Sequence, residues 1–315
     1  MADHDTCSIY GLIAYSQSFR FLGFEDREKD SPTYGCFDRY YWHYRQTDFV
    51  NVRMQETTLF LALLYNYNHP ENRFYRKDKI AEWSRAGIQF WTKIQRPDGS
   101  FDEYWPYERS FCATAFAAYA VAESCRLLNA PPPKDALLKV CQWIDAHENL
   151  LVLNQMSGAG IALYVSGLVL EDEQICSWGK RKIQQVVERQ DPSGFFVEYG
   201  GYDIGYLTIT LSCLSKYYLF TGEQSVKEAI LKGFAFLEEK IAENGTFDYR
   251  STSRKTQYFY PFGFRALEHW ELLNRHIRGL RNNEVLNPSW LDDRYSLPLA
   301  IDYLETAMLD VQPYH

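Results

Sequence analysis

Gly99-Ser100-Phe101-Asp102-Glu103-Tyr104 decides the fold, because the chain says it again three times. Gly35-Cys36-Phe37-Asp38-Arg39-Tyr40, Gly194-Phe195-Phe196-Val197-Glu198-Tyr199 and Gly245-Thr246-Phe247-Asp248-Tyr249-Arg250 align with it without a gap. Each copy sets a phenylalanine two residues after its glycine and follows with acid, tyrosine or arginine. Nine residues past the glycines stand Tyr44, Glu108, Asp203 and Arg254. Self-similarity at a period of roughly 20–50 residues is the mark of a stacked supersecondary unit.

Working outward, every copy runs into an apolar helical stretch and is preceded by an amphipathic one. The helices that follow are expected to start near Asp48, Tyr107, Asn154, Asp203, Thr256 and Arg294, in steps of 59, 47, 49, 53 and 38 residues. The preceding helices are expected at 7–21, 78–94, 135–148, 173–190, 224–242 and 274–286. Ile80, Trp83, Gly87, Phe90, Trp91 and Ile94 share one face at helical spacing. The stretch 203–220 is apolar nearly all round, as an inner helix should be, whereas 224–242 is two-faced. Prolines at Pro70, Pro97, Pro131 to Pro133, Pro192 and Pro288 punctuate the joints. No stretch alternates as a strand does. The pattern predicts one all-α domain over residues 1–315, an α/α toroid of about six helical hairpins. The glycine is expected to close the last turn of each outer helix in a left-handed conformation, and the phenylalanine to tuck into the ring. The residues beyond them then converge on one mouth.

Composition limits what that mouth binds. A net charge of −8 argues against nucleic acid, which needs a basic face. No stretch reads as the ~20 apolar residues of a membrane span, so no integral membrane segment is expected. The start, MADHD, lacks a basic region followed by an apolar core, and the seven cysteines show no paired spacing. Free thiols in a reducing compartment, the cytoplasm, are expected.

Arg85-Ala86, Phe90, Gln95, Gly99 and Phe101 resemble the QW repeat of the terpenoid cyclase and prenyltransferase superfamily. So do Gln190, Gly194 and Phe196, and more loosely Lys232-Gly233, Phe236, Gly245 and Phe247. The superfamily's tryptophan is phenylalanine here in every copy, and the likeness covers roughly half of the chain. It implies the toroid rather than a reaction. The architecture is also similar to that of heparinase and alginate-lyase type enzymes, glucuronyl epimerases and six-hairpin glycosidases. The cyclases' Asp-x-Asp-Asp cluster is not present; Asp292-Asp293 and Asp203 are fragments of it. The zinc-ligand set of protein prenyltransferases is not recognisable either, so neither metal nor cofactor is expected.

The mouth inventory is charged and aromatic. Asp38, Tyr40, Trp42, His43, Asp48 and Arg53 come from the first repeat. Asp102, Glu103, Tyr104, Trp105 and Arg109 come from the second, and Asn154 opens the third helix. Glu198, Tyr199, Asp203 and Tyr206 follow, then Arg250, Arg254 and Tyr258. Acids, arginines and tyrosines in this number suit hydroxyls and an anion rather than a hydrocarbon. Rings stack on sugar faces, and arginine holds a carboxylate or phosphate bidentately. Candidate catalytic groups are His43, Glu103, Glu198, Asp203 and Tyr206. Acid–base work needs two titratable groups held apart in pKa, hydrolysis uses two carboxylates, and elimination uses a tyrosine or histidine base.

Each residue also has a plainer reading. Asp203 and Asp48 suit helix N-caps, and Glu103 and Glu198, at one repeat position, suit either structural pairs or paired acids. Arg250 and Arg254 neutralise neighbouring acids or bind substrate, and His43 is a base or a hydrogen-bonded wall. The leading expectation is a lyase, epimerase or hydrolase acting on a small or oligosaccharide substrate that carries negative charge. An isoprenoid cyclase-like enzyme and a non-catalytic glycan-binding protein are the alternatives.

Overall fold

The structure of the protein is a computed structural model, described here for residues 7–311. Among these residues the regular elements are helical: α1 (Ser8–Ser16), α2 (Ser18–Leu22), α3 (Arg39–Trp42), α4 (Thr57–Asn66), α5 (Asp78–Ile94), α6 (Phe111–Leu127), α7 (Lys134–Ala146), α8 (Leu153–Leu170), α9 (Glu173–Val187), α10 (Ile204–Thr221), α11 (Gln224–Glu238), α12 (Phe262–Ala266), α13 (Trp270–Arg281) and α14 (Asp293–Ala307). Isolated bridges such as Gln190 with Phe196 and Ile241 with Phe247 stand in place of strands. The contacts divide the chain into two compact units. One comprises Tyr15–Glu148 and Ala162–Gly179; the other comprises the described residues of Met1–Ala14, Asn149–Ile161 and Lys180–His315.

In the first unit α4 is buried continuously from Thr57 to Leu64, and the alanine-rich α6 is buried along most of its length. Helices apolar all round belong inside. α5 is two-faced and turns Ile80, Ala81, Ile88 and Trp91 inward. Phe37, from the first Gly-x-Phe, packs where Gly87 of α5 lacks a side chain: a Cβ there would lie 2.4 Å from Phe37 Cε2. Phe101, from the second, stacks on Trp91 at 4.7 Å.

The repeat glycines do have positive φ, but they do not close the outer helices. α5 ends at Ile94, α9 at Val187 and α11 at Glu238, well before Gly99, Gly194 and Gly245. Each glycine instead sits in a following turn and lies edge-on against the backbone of the next outer helix. A Cβ on Gly35 would stand 2.3 Å from Ala86 O, on Gly99 2.4 Å from Lys139 O, on Gly194 2.4 Å from Lys232 O, and on Gly245 2.6 Å from Arg275 O. A side chain does not fit, and φ values of 78–110° suit glycine alone.

A polar clamp closes each docking. Gln95 Nε2 donates to Gly99 O and Ala136 O, at 3.2 and 2.9 Å. Gln190 Nε2 donates to Gly194 O and Ala229 O, both at 2.8 Å. These are the glutamines of the QW-like stretches. In the first copy Gln55 does the work, donating to Gly35 O and Gly87 O while accepting from Phe37 N. In the last copy Arg275 reaches back to Glu238 O and Ile241 O.

In the second unit α10 and α14 are buried along most of their length. The inner helix expected from Thr256 shrinks to the single turn α12. Pro261 starts it, Gly263 brings it to Leu211 O, where a Cβ would lie at 3.0 Å, and left-handed Glu268 ends it. Asp302 of α14 serves the short helix as an outside cap, its Oδ1 accepting from Phe262 N at 3.1 Å. The same carboxylate accepts from Ser212 Oγ, and Lys216 Nζ stands 2.6 Å from Glu305 beside it. α8 is long and apolar enough, by length and composition, to cross a membrane, which the sequence reading did not anticipate; 72% of it is buried within the protein. All seven cysteines are free.

Gly99→Ala combines a strained backbone with a clash against Lys139 O and is expected to cost more than about 3 kcal/mol. Gly222→Ala is the control, since Gly222 is also left-handed but has open space around it; it should cost about 1 kcal/mol. Urea unfolding of the two variants measures the difference, and equal losses would mean that the helix contact contributes nothing.

Candidate functional site

The segments after the Gly-x-Phe turns form two sets, one in each unit. In the first unit Asp38 is buried and caps α3: Oδ1 accepts from Tyr40 N at 3.0 Å, and Oδ2 from Asn51 N at 2.9 Å. Trp42 turns inward, donating to Phe24 O at 2.7 Å and packing beside Cys36, Val50 and Phe90. Tyr40, His43, Tyr44 and Asp48 are exposed, with the Arg39 guanidinium 4.9 Å above the Tyr44 ring. Arg53 pairs with Glu56 at 3.0 Å and lies over Phe116.

The loop from Asp98 to Ser110 is more tightly organised. Asp102 is its hub: it holds Arg96 through both oxygens and accepts from the amides of Tyr107 and Arg109, each at 3.0 Å. Burial alone would raise the Asp102 carboxyl, but the Arg96 guanidinium and those two amides outweigh it and hold the group below its ordinary value. Glu108 accepts from the amides of Glu103 and Tyr104. Two strained residues, Tyr107 (φ 68°) and Arg109 (φ 55°), shape the tip, and such strain persists only where surrounding bonds over-determine it. The result presents Tyr104, Trp105 and Tyr107 to solvent, at 47%, 64% and 77% exposure. Glu103, next to them in sequence, is 5% exposed, its Oε2 accepting from Ser110 Oγ at 3.1 Å.

In the second unit Glu198 is fully buried. Oε1 accepts from Asn154 N and Oε2 from Asn154 Nδ2, both at 2.7 Å. Burial pushes its carboxyl up to about 8 against those two bonds. Asp203 caps α10 through Tyr206 N and gathers the loop ahead of α12. It accepts from Thr252 Oγ1, the amides of Arg254 and Thr256, and the Thr256 hydroxyl. Its carboxylate is therefore occupied as a cap and loop anchor. Arg254 lies 4.3 Å over the Tyr199 ring, and its guanidinium donates to the Tyr206 hydroxyl. Tyr258 stacks on Tyr295 at 5.7 Å, and Arg250 lies over Tyr249. A cavity of about 310 Å³ opens between the segments Tyr199–Tyr202 and Ser251–Ser253.

Asp102, Glu103, Tyr104, Trp105 and Arg109 thus share one loop. Asn154, Glu198, Tyr199, Asp203, Tyr206, Arg250, Arg254 and Tyr258 belong to a second cluster. Ser251, Ser253 and the Gly200-Gly201 pair escaped the sequence reading; a diglycine between tyrosines was the available signal. The left-handed backbone that Arg45, Arg109 and Lys255 share, each ten residues past a repeat glycine, was not foreseen.

No protein-family model matches this chain, and no curated protein does either. Among solved structures it is similar to an inactive variant, with two neighbouring aspartates replaced by alanine, of the α-1,6-mannanase GH76A of Salegentibacter sp. HEL1_6 in complex with α-1,6-mannotetrose. Identity is 11%, the TM-score is 0.55, and the match covers 96% of this chain and 99% of that one. A slighter likeness links it to a tyrosine-to-phenylalanine variant of alginate lyase A1-III complexed with a tetrasaccharide, at 16% identity and a TM-score of 0.35 over 71% of this chain and 61% of that one. The end-to-end match shows the fold: the chain is an all-α protein of the α/α toroid class, as the repeats predicted.

Glu25 is raised like Glu198, by burial and to about 8, whereas burial lowers His276 from 6.5 to about 3. A carboxyl that the fold keeps protonated costs stability as pH rises from its unfolded value of 4.5 toward 8. A histidine that the fold keeps neutral adds stability as pH rises from 3 to 6.5. Between 6.5 and 8, of these three groups, the two carboxyls act alone. The unfolding temperature should therefore fall across that window. Glu198→Gln should flatten the fall, since Asn154 can turn its amide to match. A level wild-type profile in differential scanning fluorimetry would contradict the burial argument.

Proposed function

We propose that the protein is a carbohydrate-active enzyme that cleaves an oligosaccharide, with the Asp98–Ser110 loop at the centre of its chemistry. The observation that carries this reading is the fold held end to end in common with a mannanase whose complex contains α-1,6-mannotetrose. The loop supports it independently. Three exposed rings stand on a backbone fixed by Asp102 and Glu108, which suits the apolar faces of sugars. Asp102-Glu103 also places two carboxyl groups side by side in sequence, as neighbouring aspartates are placed in that mannanase.

The two carboxyls differ in their partners: Asp102 binds Arg96 and two amides, whereas Glu103 accepts from the Ser110 hydroxyl. Asp102 is held ionised by Arg96 and two amides, so its part is to fix the loop. Glu103 is the group we assign to proton transfer at the glycosidic oxygen. Hydrolysis is the favoured reaction, because a mannanase shares the fold end to end. The seven free thiols support a reducing compartment.

Reducing-end release from a panel of neutral and acidic oligosaccharides, α-1,6-mannotetrose included, tests the proposal. Glu103→Gln should lower kcat by about 10²–10⁴-fold, the contribution of a positioned general acid or base, with the unfolding temperature unchanged. A variant as fast as wild type would remove Glu103 from the chemistry. Unsaturated products absorbing in the ultraviolet would replace hydrolysis with elimination.

A further inference from the structure

The segment Arg250-Ser251-Thr252-Ser253-Arg254-Lys255 puts three cations and three hydroxyls into six residues of a chain whose net charge is −8. Among the described residues, no carboxylate lies within ion-pair distance of Arg250, Arg254 or Lys255. The segment is nevertheless held in place. Asp203 accepts from the Thr252 hydroxyl and from the amides of Arg254 and Thr256, and Ser253 N donates to Tyr202 O at 3.0 Å. Gly201 lets the two strands of the cavity close up, since a Cβ there would meet Ser253 Cβ at 3.2 Å. Next to the cavity, the Arg254 guanidinium is fixed twice, by the Tyr199 ring beneath it and by the Tyr206 hydroxyl. Ser251, Ser253, Arg250 and Lys255 are exposed around it.

We propose that the cavity between Tyr199–Tyr202 and Ser251–Ser253 is an oxyanion subsite, which takes a carboxylate, sulfate or phosphate carried by a sugar, with Arg254 as its fixed cation. A guanidinium held by a ring and a hydroxyl loses little freedom on binding, and its fork matches the oxygens of such groups. The cavity, at about 310 Å³, lies at the small end of ligand-sized clefts, which suits one charged sugar unit rather than a long chain. The inference rests on the glycan reading for the kind of molecule that bears the anion. It places the anion-binding function on a loop separate in sequence from Glu103.

Isothermal titration of the whole protein at low ionic strength tests this. The probes are D-glucuronate, inorganic sulfate and inorganic phosphate, with methyl α-mannoside as a neutral control. One anion equivalent should bind, and Arg254→Gln should weaken it by at least about tenfold. Ser253→Asp, which adds a carboxylate at the rim and leaves Arg254 and its ring in place, should do the same with no change in unfolding temperature. Tighter binding of glucuronate assigns a uronate; tighter binding of sulfate or phosphate assigns an ester. No heat with any anion at millimolar concentration overturns the subsite, as does binding equal in wild type and both variants. Turnover of a neutral oligosaccharide with no anion bound would sink the subsite and leave the enzyme reading standing. Anion binding without turnover of any glycan would do the reverse.

Discussion

The governing constraint in the molecule is the contact between a repeat glycine and the backbone of the next outer helix. Space for a single hydrogen, where a methyl group would lie 2.3–2.6 Å from a helix carbonyl oxygen, sets how near each turn comes. Much else follows from it. The phenylalanine two residues on is carried into the core in three copies, with Phe37, Phe101 and Phe196 buried. The glutamine clamps then find carbonyls on both sides of the gap. Beyond the phenylalanine the chain is released into a loop whose root is fixed, so charged and aromatic groups are placed by packing that does not involve them.

The outer helices were legible because two-faced helices announce themselves. α5 spans the expected residues, and α7, α9 and α11 start within about a residue of expectation. Inner helices were unevenly legible: α8, α10 and α14 start within a residue of expectation, but continuous apolarity marks burial without marking ends elsewhere. The α4 start moved from Asp48 to Thr57 behind a tight turn over Val52–Glu56. α12 lost most of its expected length to Pro261 and Glu268. The glycine's left-handed φ was predicted for the wrong cause: helix closure was expected, whereas the close approach of a neighbouring helix demands it.

Around the candidate site, the repeat aligned the acids in sequence but gave no sign of their partners. Glu198 is satisfied by Asn154, 44 residues away, and Asp203 by Thr252 and Thr256, 49 and 53 residues away. No periodicity links such positions. This explains why Glu103 and Glu198 looked equivalent and are not. One is set in a strained loop that carries exposed rings, and the other is locked against the start of α8. Arg254 was legible as a cation, but the ring and hydroxyl that hold it were not.

The glycine dockings also bear on how far such a chain can drift. Each is made to backbone atoms, Ala86 O, Lys139 O, Lys232 O and Arg275 O, and a carbonyl oxygen is the same in every residue type. Selection acting on these joints therefore sees the glycine and little of what it touches. Even the clamp is interchangeable, being glutamine from the same turn at Gln95 and Gln190, glutamine from farther along at Gln55, and arginine from the neighbouring helix at Arg275. A scaffold joined in this way demands few particular side chains outside its glycines, so very different sequences can close the same joints.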